Sequence, residues 1–186
     1  MVPNLSAGES RGARSDSARR SILLTMGAAA GQEWIDATVA RFAVHLEVDG
    51  LHTALGYLNS RTRFRYTGVY RFAPPLLCSI EIFDRENPTL ALCAEVEMHT
   101  TYCSIVGAQR GALAVDDAEH DARVSGHRAR EQFAAYCGVP LRGAGDQPFG
   151  TLCHYDPRPR IGSTDQILLL ERVAPLVAAY SLARLS

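Results

Sequence analysis

The sequence predicts an α+β domain in which helices pack on a central antiparallel sheet. Three observations support this fold class. Apolar residues recur at helical spacing near both ends, a strand hairpin follows the second helix, and two further strands flank a glycine-rich turn. The chain has 186 residues, of which 47% are hydrophobic, so it can fill one hydrophobic core. We therefore expect a single domain over residues 31–186.

Two helices are predicted at the start of this domain. Apolar residues within 32–46 are spaced three and four positions apart, as they are on one face of a helix. The pair Asp49-Gly50 interrupts this pattern, because both residue types favour turns. A second helix is then predicted over residues 51–58.

A β-hairpin is predicted after the second helix. Residues 64–72 are rich in aromatic and β-branched side chains, Pro74-Pro75 breaks the run, and residues 76–83 form the antiparallel partner. Side chains on a strand alternate between its two faces. The following aromatic residues are therefore predicted to share one face: Phe64, Tyr66, Tyr70 and Phe72.

The middle of the chain predicts a short helix, a short strand and a long loop. Thr100 or Thr101 can cap a helix over residues 102–106, and residues 112–115 follow as a strand. Residues 116–131 are polar and weakly periodic, which indicates a loop with one turn of helix.

The last third predicts two strands and a terminal helix. Strands over residues 134–142 and 149–155 flank a turn at 143–146. From about Thr164 onward the apolar residues follow helical spacing to the end of the chain.

The overall charge and the cysteine pattern exclude several classes of protein. A formal net charge of -1 provides no attraction to nucleic acid, and no continuous apolar run approaches the ~18 residues of a membrane span. Five cysteines without a CxxC pair support neither a disulfide framework nor a zinc ribbon. Reduced thiols in a cytoplasmic protein are the expected state.

Residues 1–30 are predicted to be a flexible arm, because they are rich in Ser, Gly, Ala and Arg and lack aromatic side chains. Arg19-Arg20 and the apolar residues after them also resemble an export signal with a small-residue cleavage site. The alternative is the start of a helix, which agrees better with free thiols.

Short segments between Leu51 and Leu182 carry a family resemblance. They are RF at 63–64 with VYRF at 69–72, FDR at 83–85, YC at 102–103, VDDA at 115–118, DARV at 121–124, GVPL at 138–141 and GTLCHYD at 150–156. In this order and with these gaps they resemble bacterial GAF sensor domains. The resemblance implies a central antiparallel sheet with the terminal helices on one face. A pocket-forming layer of loop and short helices would lie on the other face.

The resemblance implies a sensory module that binds a small molecule or another protein, and it specifies no cofactor. GAF domains hold cyclic nucleotides, haem, tetrapyrroles, metabolites, iron or no known ligand. No output domain follows the last predicted helix, so a separate signalling protein is an expected partner. A homodimer formed through the terminal helices is also expected.

Candidate ligand-binding residues come from the predicted pocket layer and the strand below it. Buried tyrosine hydroxyls need partners, and cysteines there face either the pocket or the core. Aspartates in the loop can bind a ligand or accept backbone N–H groups. The candidates are Tyr102, Cys103, Asp117, Asp121, His127, Tyr136 and Cys153. His154 is predicted to face away from Cys153, so the sequence indicates no metal site.

An enzyme is the alternative, because one GAF branch comprises free methionine-R-sulfoxide reductases. Cys93 and Cys103 have a spacing similar to that of two cysteines of that branch. The catalytic cysteine of those enzymes lies in the pocket loop, whereas residues 123–127 contain none here. No catalytic residue is therefore predicted, and a binding module is preferred.

Overall fold

The structure is a computed structural model that describes residues 30–90 and 93–185. Residues 1–29 of the predicted arm, with its Arg19-Arg20 segment, lie outside the described residues, and residue 30 belongs to a helix. The chain divides into two units between Thr38 and Val39. In the first unit, the described residues 30–38 are helical. The second unit, Val39–Ser186, contains the sheet and the elements that pack on it.

Four helices occur in the described part of the chain. Helix α1 covers residues 30–48, and α2 (Leu51–Asn59) begins directly after Gly50, whose φ of 86° is a conformation that favours glycine. Helix α3 spans Tyr102–Gln109, and α4 spans Ser163–Leu185. These helices agree with the four predicted helical segments.

The sheet has six antiparallel strands in the order β3-β2-β1-β6-β5-β4. Their bounds are β1 (Tyr66–Ala73), β2 (Leu76–Asp84), β3 (Glu95–Glu97), β4 (Leu113–Val115), β5 (Ala135–Arg142) and β6 (Pro148–Asp156). Strand β3 was not predicted. It has three residues at the edge of the sheet, and its Glu-Val-Glu sequence carries little strand signal.

Helices α2 and α4 cover one face of the sheet, and α3 covers the other. Helix α2 contacts β1 and β2, and α4 lies along β5. Helix α3 packs on β5 and β6 through Tyr102, Cys103 and Val106, which belong to the apolar cluster of the opposite face. The predicted α+β class, with helices on an antiparallel sheet, is confirmed.

Among the described helices, α4 has the length and hydropathy to cross a membrane, although no such run was predicted. Glu171 and Arg172 interrupt its apolar sequence, so no continuous run is visible. Its side chains at Leu169, Leu170, Val173 and Val177 are fully buried. Packing on the sheet accounts for this apolar character.

One local prediction was wrong, and two were right only in part. Phe64 does not share a face with the β1 tyrosines, because it precedes β1 and stacks on His154, on the face of α2. Thr101 occupies the cap position of α3, but its hydroxyl donates to the carbonyl oxygen of Met98. The loop over residues 116–131 contains two 3-10 turns, Ala122–Val124 and Arg128–Glu131, where a single turn was expected.

Candidate functional site

A cavity of about 250 Å³ lies between the sheet and the layer formed by α3 and the 3-10 turn Arg128–Glu131. Its wall is mostly aliphatic and aromatic. Polar atoms come from tyrosine and threonine hydroxyls, two thiols and one amide. The lining residues are Tyr70, Leu77, Ile82, Ala94, Val96, Thr100, Thr101, Tyr102, Cys103, Ala129, Gln132, Phe133, Tyr136, Cys153 and Tyr155.

The strands supply the floor of this cavity by simple alternation. On β6, Thr151, Cys153 and Tyr155 point to the α3 face, whereas His154 points to the opposite face and bonds Thr67. A Cβ at Gly138 would lie 2.3 Å from the hydroxyl oxygen of Tyr136. Glycine at this position therefore lets the Tyr136 ring lie flat along β5.

Most tyrosine hydroxyls in the wall already have partners within the protein. The hydroxyls of Tyr70 and Tyr155 lie 2.7 Å apart, and that of Tyr102 donates to the carbonyl oxygen of Phe133 at 3.1 Å. The Tyr155 ring also contacts the Phe133 ring edge-on, with centroids 4.8 Å apart. A ligand therefore meets mainly aromatic surface.

Two thiols form part of the floor with Tyr136 and Thr151. The hydroxyl of Thr151 donates to the sulfur of Cys103 at 3.2 Å, and the hydroxyl of Tyr136 lies 3.5 Å from that sulfur. Cys153 donates to the carbonyl oxygen of Gly68 at 3.7 Å. Cys103 and Cys153 both line the cavity. All four side chains are buried.

The cavity carries no formal charge in the part of the chain that the structure describes. None of its lining residues is Asp, Glu, Lys, Arg or His. Burial raises the pKa of Tyr102 to about 12 and that of Tyr155 further still, so both phenols are neutral near pH 7. The site is therefore suited to an uncharged ligand.

The loop above the cavity is positioned by His127. Its ring stacks on Tyr102 with centroids 5.6 Å apart, and its Nδ1 accepts the backbone N–H of Ala129. Burial lowers the pKa of His127, which agrees with a neutral ring. The contact with Ala129 orders the turn that lines the cavity.

The seven predicted site residues divide into three groups. Tyr102, Cys103, Tyr136 and Cys153 are brought together in the cavity wall. His127 lies behind Tyr102, outside the wall. Asp117 and Asp121 lie in a separate open depression that also contains Asp116, His120 and Arg123.

Asp117 and Asp121 are bonded to their own loop. Asp117 accepts the backbone N–H of Glu119 and pairs with His120, and Asp121 accepts the backbone N–H of Arg123. Within residues 30–90 and 93–185, no three His, Cys, Asp or Glu side chains are grouped so that they could hold a metal ion. Ligand binding by the two aspartates remains a prediction.

Sequence reasoning missed most of the aromatic wall. Tyr155 could have been found, because it lies two residues from Cys153 on a predicted strand and so shares its face. Tyr70 was interpreted as core. Phe133 and Val96 gave no signal, since one lies in a loop and the other on the unpredicted β3.

The two cysteines considered for a reductase lie in different environments. Cys93 is exposed ahead of β3, and Cys103 is buried in the cavity wall. The described residues 123–127 contain no thiol. Cys93 therefore does not line the cavity with Cys103 in the described part of the chain.

The sequence matches the family model described as GAF domain over residues 35–180. No curated protein matches the sequence significantly. Many solved structures match the fold, and their low sequence identities make this a likeness of fold alone.

Three of these structures illustrate the range. A GAF sensor protein from Burkholderia vietnamiensis has a TM-score of 0.62 and 13% identity, covering 81% of this chain and 94% of its own. The GAF domain of an Acinetobacter phosphoenolpyruvate-protein phosphotransferase has a TM-score of 0.61 and 10% identity, with coverage of 81% and 94%. The free methionine-R-sulfoxide reductase of Neisseria meningitidis, in complex with its substrate, has a TM-score of 0.61 and 13% identity, with coverage of 80% and 89%.

Proposed function

Because the chain belongs to the GAF domain family, we propose that it is a sensory binding module for a small, uncharged and largely apolar molecule. The observation that carries this proposal is the aromatic cavity without a charged side chain in its described wall. The expected ligand has a flat or aromatic portion that packs on Tyr155 and Phe133. Its affinity comes mainly from moving its apolar surface out of water and into the cavity.

The missing charge disfavours several classes of ligand. A cyclic nucleotide brings a phosphate, and a free amino acid brings both an ammonium and a carboxylate. Moving an unpaired charge from water into such a wall costs several kcal/mol or more. Neutral compounds avoid this cost, and the amide of Gln132 can hydrogen-bond to them at the wall.

The same reasoning supports a binding module over a reductase. Free methionine-R-sulfoxide is a zwitterion at neutral pH, and neither of its charges would meet a counter-charge in this cavity. The exposed Cys93 is also separated in environment from the buried Cys103. A reductase that cycles through Cys93 and Cys103 needs both thiols near the substrate, and Cys93 is not among the residues that line the cavity.

A comparison with the Neisseria meningitidis enzyme tests this part of the proposal. Both proteins are assayed on free methionine-R-sulfoxide with reduced thioredoxin, and binding of the same compound is measured by calorimetry. We expect turnover and binding for the Neisseria protein and neither for this chain. Turnover by this chain that Cys103→Ser abolishes would overturn the binding-module proposal.

A sensor must pass its state to another molecule, and we propose that this chain does so in the cytoplasm as a homodimer or through a separate signalling protein. The loop that His127 positions forms one wall of the cavity and is exposed on its outer side at Arg128. Ligand binding would therefore alter a surface that a partner can contact.

A further inference from the structure

Cys103 and Cys153 both line the cavity, and the Cys103 sulfur contacts Thr151, which lies two residues before Cys153 on the same face of β6. The two cysteines come from different elements, the first turn of α3 and the centre of β6. The third buried cysteine, Cys137, lies on the opposite face of the sheet and is absent from the cavity wall. The chain therefore contains a buried thiol pair and a buried single thiol for comparison.

The surroundings of Cys103 favour its thiolate. Thr151 donates a hydrogen bond to its sulfur, Tyr136 lies within hydrogen-bonding distance, and the peptide dipoles at the start of α3 favour negative charge. The neighbouring Cys153, followed by the hydrogen bonds from Thr151 and Tyr136, lowers the pKa of the Cys103 thiol despite its burial. Burial raises the pKa of Cys153 and Cys137, so these remain thiols.

We propose that Cys103 and Cys153 react with a small neutral peroxide that enters the cavity, and that the product is a Cys103–Cys153 disulfide. Hydrogen peroxide and organic hydroperoxides are uncharged near pH 7. They can therefore enter a cavity with an uncharged wall without the cost of burying a charge. This inference needs the cavity and the thiol pair. It does not depend on the identity of the sensory ligand.

The reaction balances in two steps. The Cys103 sulfur attacks one peroxide oxygen, the O–O bond breaks, and the leaving oxygen takes the Cys103 proton to give water or an alcohol. Cys103 is oxidised by two electrons to a sulfenic acid, and the peroxide is reduced. The Cys153 sulfur then attacks the Cys103 sulfur, the S–O bond breaks, and hydroxide leaves as water with the Cys153 proton.

The disulfide would change the cavity that a ligand sees. A disulfide sulfur would replace the Cys103 thiol that contacts Thr151 and Tyr136, and the two sulfurs would move to bonding distance in the floor. The floor of the cavity would therefore differ in shape and in hydrogen-bonding groups between the oxidised and the reduced protein. A thiol reductant would restore the original floor.

The experiment uses the full chain with Cys78→Ser and Cys93→Ser, which removes the two cysteines that are not buried. The protein is treated with hydrogen peroxide or cumene hydroperoxide, denatured in excess N-ethylmaleimide, digested and analysed by mass spectrometry. We expect a linked Cys103–Cys153 peptide that dithiothreitol removes, with Cys137 fully alkylated. Adding Cys153→Ser should leave a Cys103 sulfenic acid that dimedone traps.

Two comparisons make the result decisive. Thr151→Val keeps the approximate shape but removes the donor to Cys103, and we expect it to slow oxidation by about fivefold to tenfold. Cys137 is the control for peroxide that reaches buried thiols through unfolding, because it is equally buried but does not line the cavity. The proposal is overturned if Cys103 and Cys153 remain free at a peroxide dose that oxidises Cys93 in the wild type. Oxidation of Cys137 as fast as Cys103 would overturn it too.

Discussion

The hydroxyl groups of Tyr70 and Tyr155 lie 2.7 Å apart in the cavity wall, and both side chains are buried. Each hydroxyl is the partner of the other, so one of them donates the hydrogen bond and the other accepts it. This pairing explains how a cavity with several tyrosines can still be apolar in character. It also makes the two tyrosines energetically dependent on each other.

Removing both hydroxyls should therefore cost less than the sum of the two single removals. Tyr70→Phe or Tyr155→Phe leaves a buried hydroxyl without its partner, and we expect each to lower the free energy of unfolding by about 1–3 kcal/mol. The double variant leaves no unpaired group and should be more stable than the sum of the single changes implies. Urea unfolding of the four proteins measures this. Strict additivity would show that the hydrogen bond contributes nothing.

The pH dependence of stability should report on His154. Its ring is fully buried between Phe64 and Thr67, and burial lowers its pKa from 6.5 to about 3. The unfolded chain takes up this proton below about pH 6.5 and the folded chain does not. Stability should therefore fall as pH drops from 6.5 towards 3, by up to about 1.4 kcal/mol per unit.

His154→Asn is the matching variant, because its amide oxygen can accept the Thr67 hydroxyl in place of Nδ1. We expect it to be less stable than the wild type near pH 7 and to lose less stability between about pH 6.5 and 4.5. The interval stays above the region where Asp84, whose pKa is about 2 because of its hydrogen bond with Arg65, contributes. Parallel stability curves for the two proteins would show that His154 is not the titrating group.

Exposed apolar residues on the helices should mediate the expected homodimer. Val44 and Val48 on α1 are 58% and 74% exposed, and Leu168 on α4 is 50% exposed. Val48→Asp should shift the protein towards monomer in light scattering at high concentration. Ile161→Asp is the control, because Ile161 is exposed in the loop before α4. A wild type that is monomeric at every concentration would refute the dimer.

The site residues that could be predicted from the sequence are those whose positions depend on the local helix or strand pattern. The start of α3 gave Tyr102 and Cys103, and strand alternation separated Cys153 from His154. The loop aspartates were equally conspicuous, but Asp117 and Asp121 hydrogen-bond to nearby backbone, which composition does not distinguish from ligand binding.

The rest of the site depends on long-range pairing. Tyr70 and Tyr155 are 85 residues apart in sequence and meet only because β1 pairs with β6. Val96 reaches the wall because β3 pairs with β2 at the edge of the sheet. No local pattern specifies which strands become neighbours, so these contacts need the structure.

The most direct test of an uncharged binding site compares one ring with and without a charge. Indole and indole-3-carboxylate are titrated into the full chain by calorimetry, with the wild type and two variants. Val96→Trp narrows the cavity at its partly exposed wall, and Val44→Trp makes the same change on α1. We expect indole to bind the wild type and Val44→Trp but not Val96→Trp, and the carboxylate to bind about 100-fold more weakly or not at all. Equal or tighter binding of the carboxylate, or indole binding that Val96→Trp leaves unchanged, would contradict the assignment of this cavity.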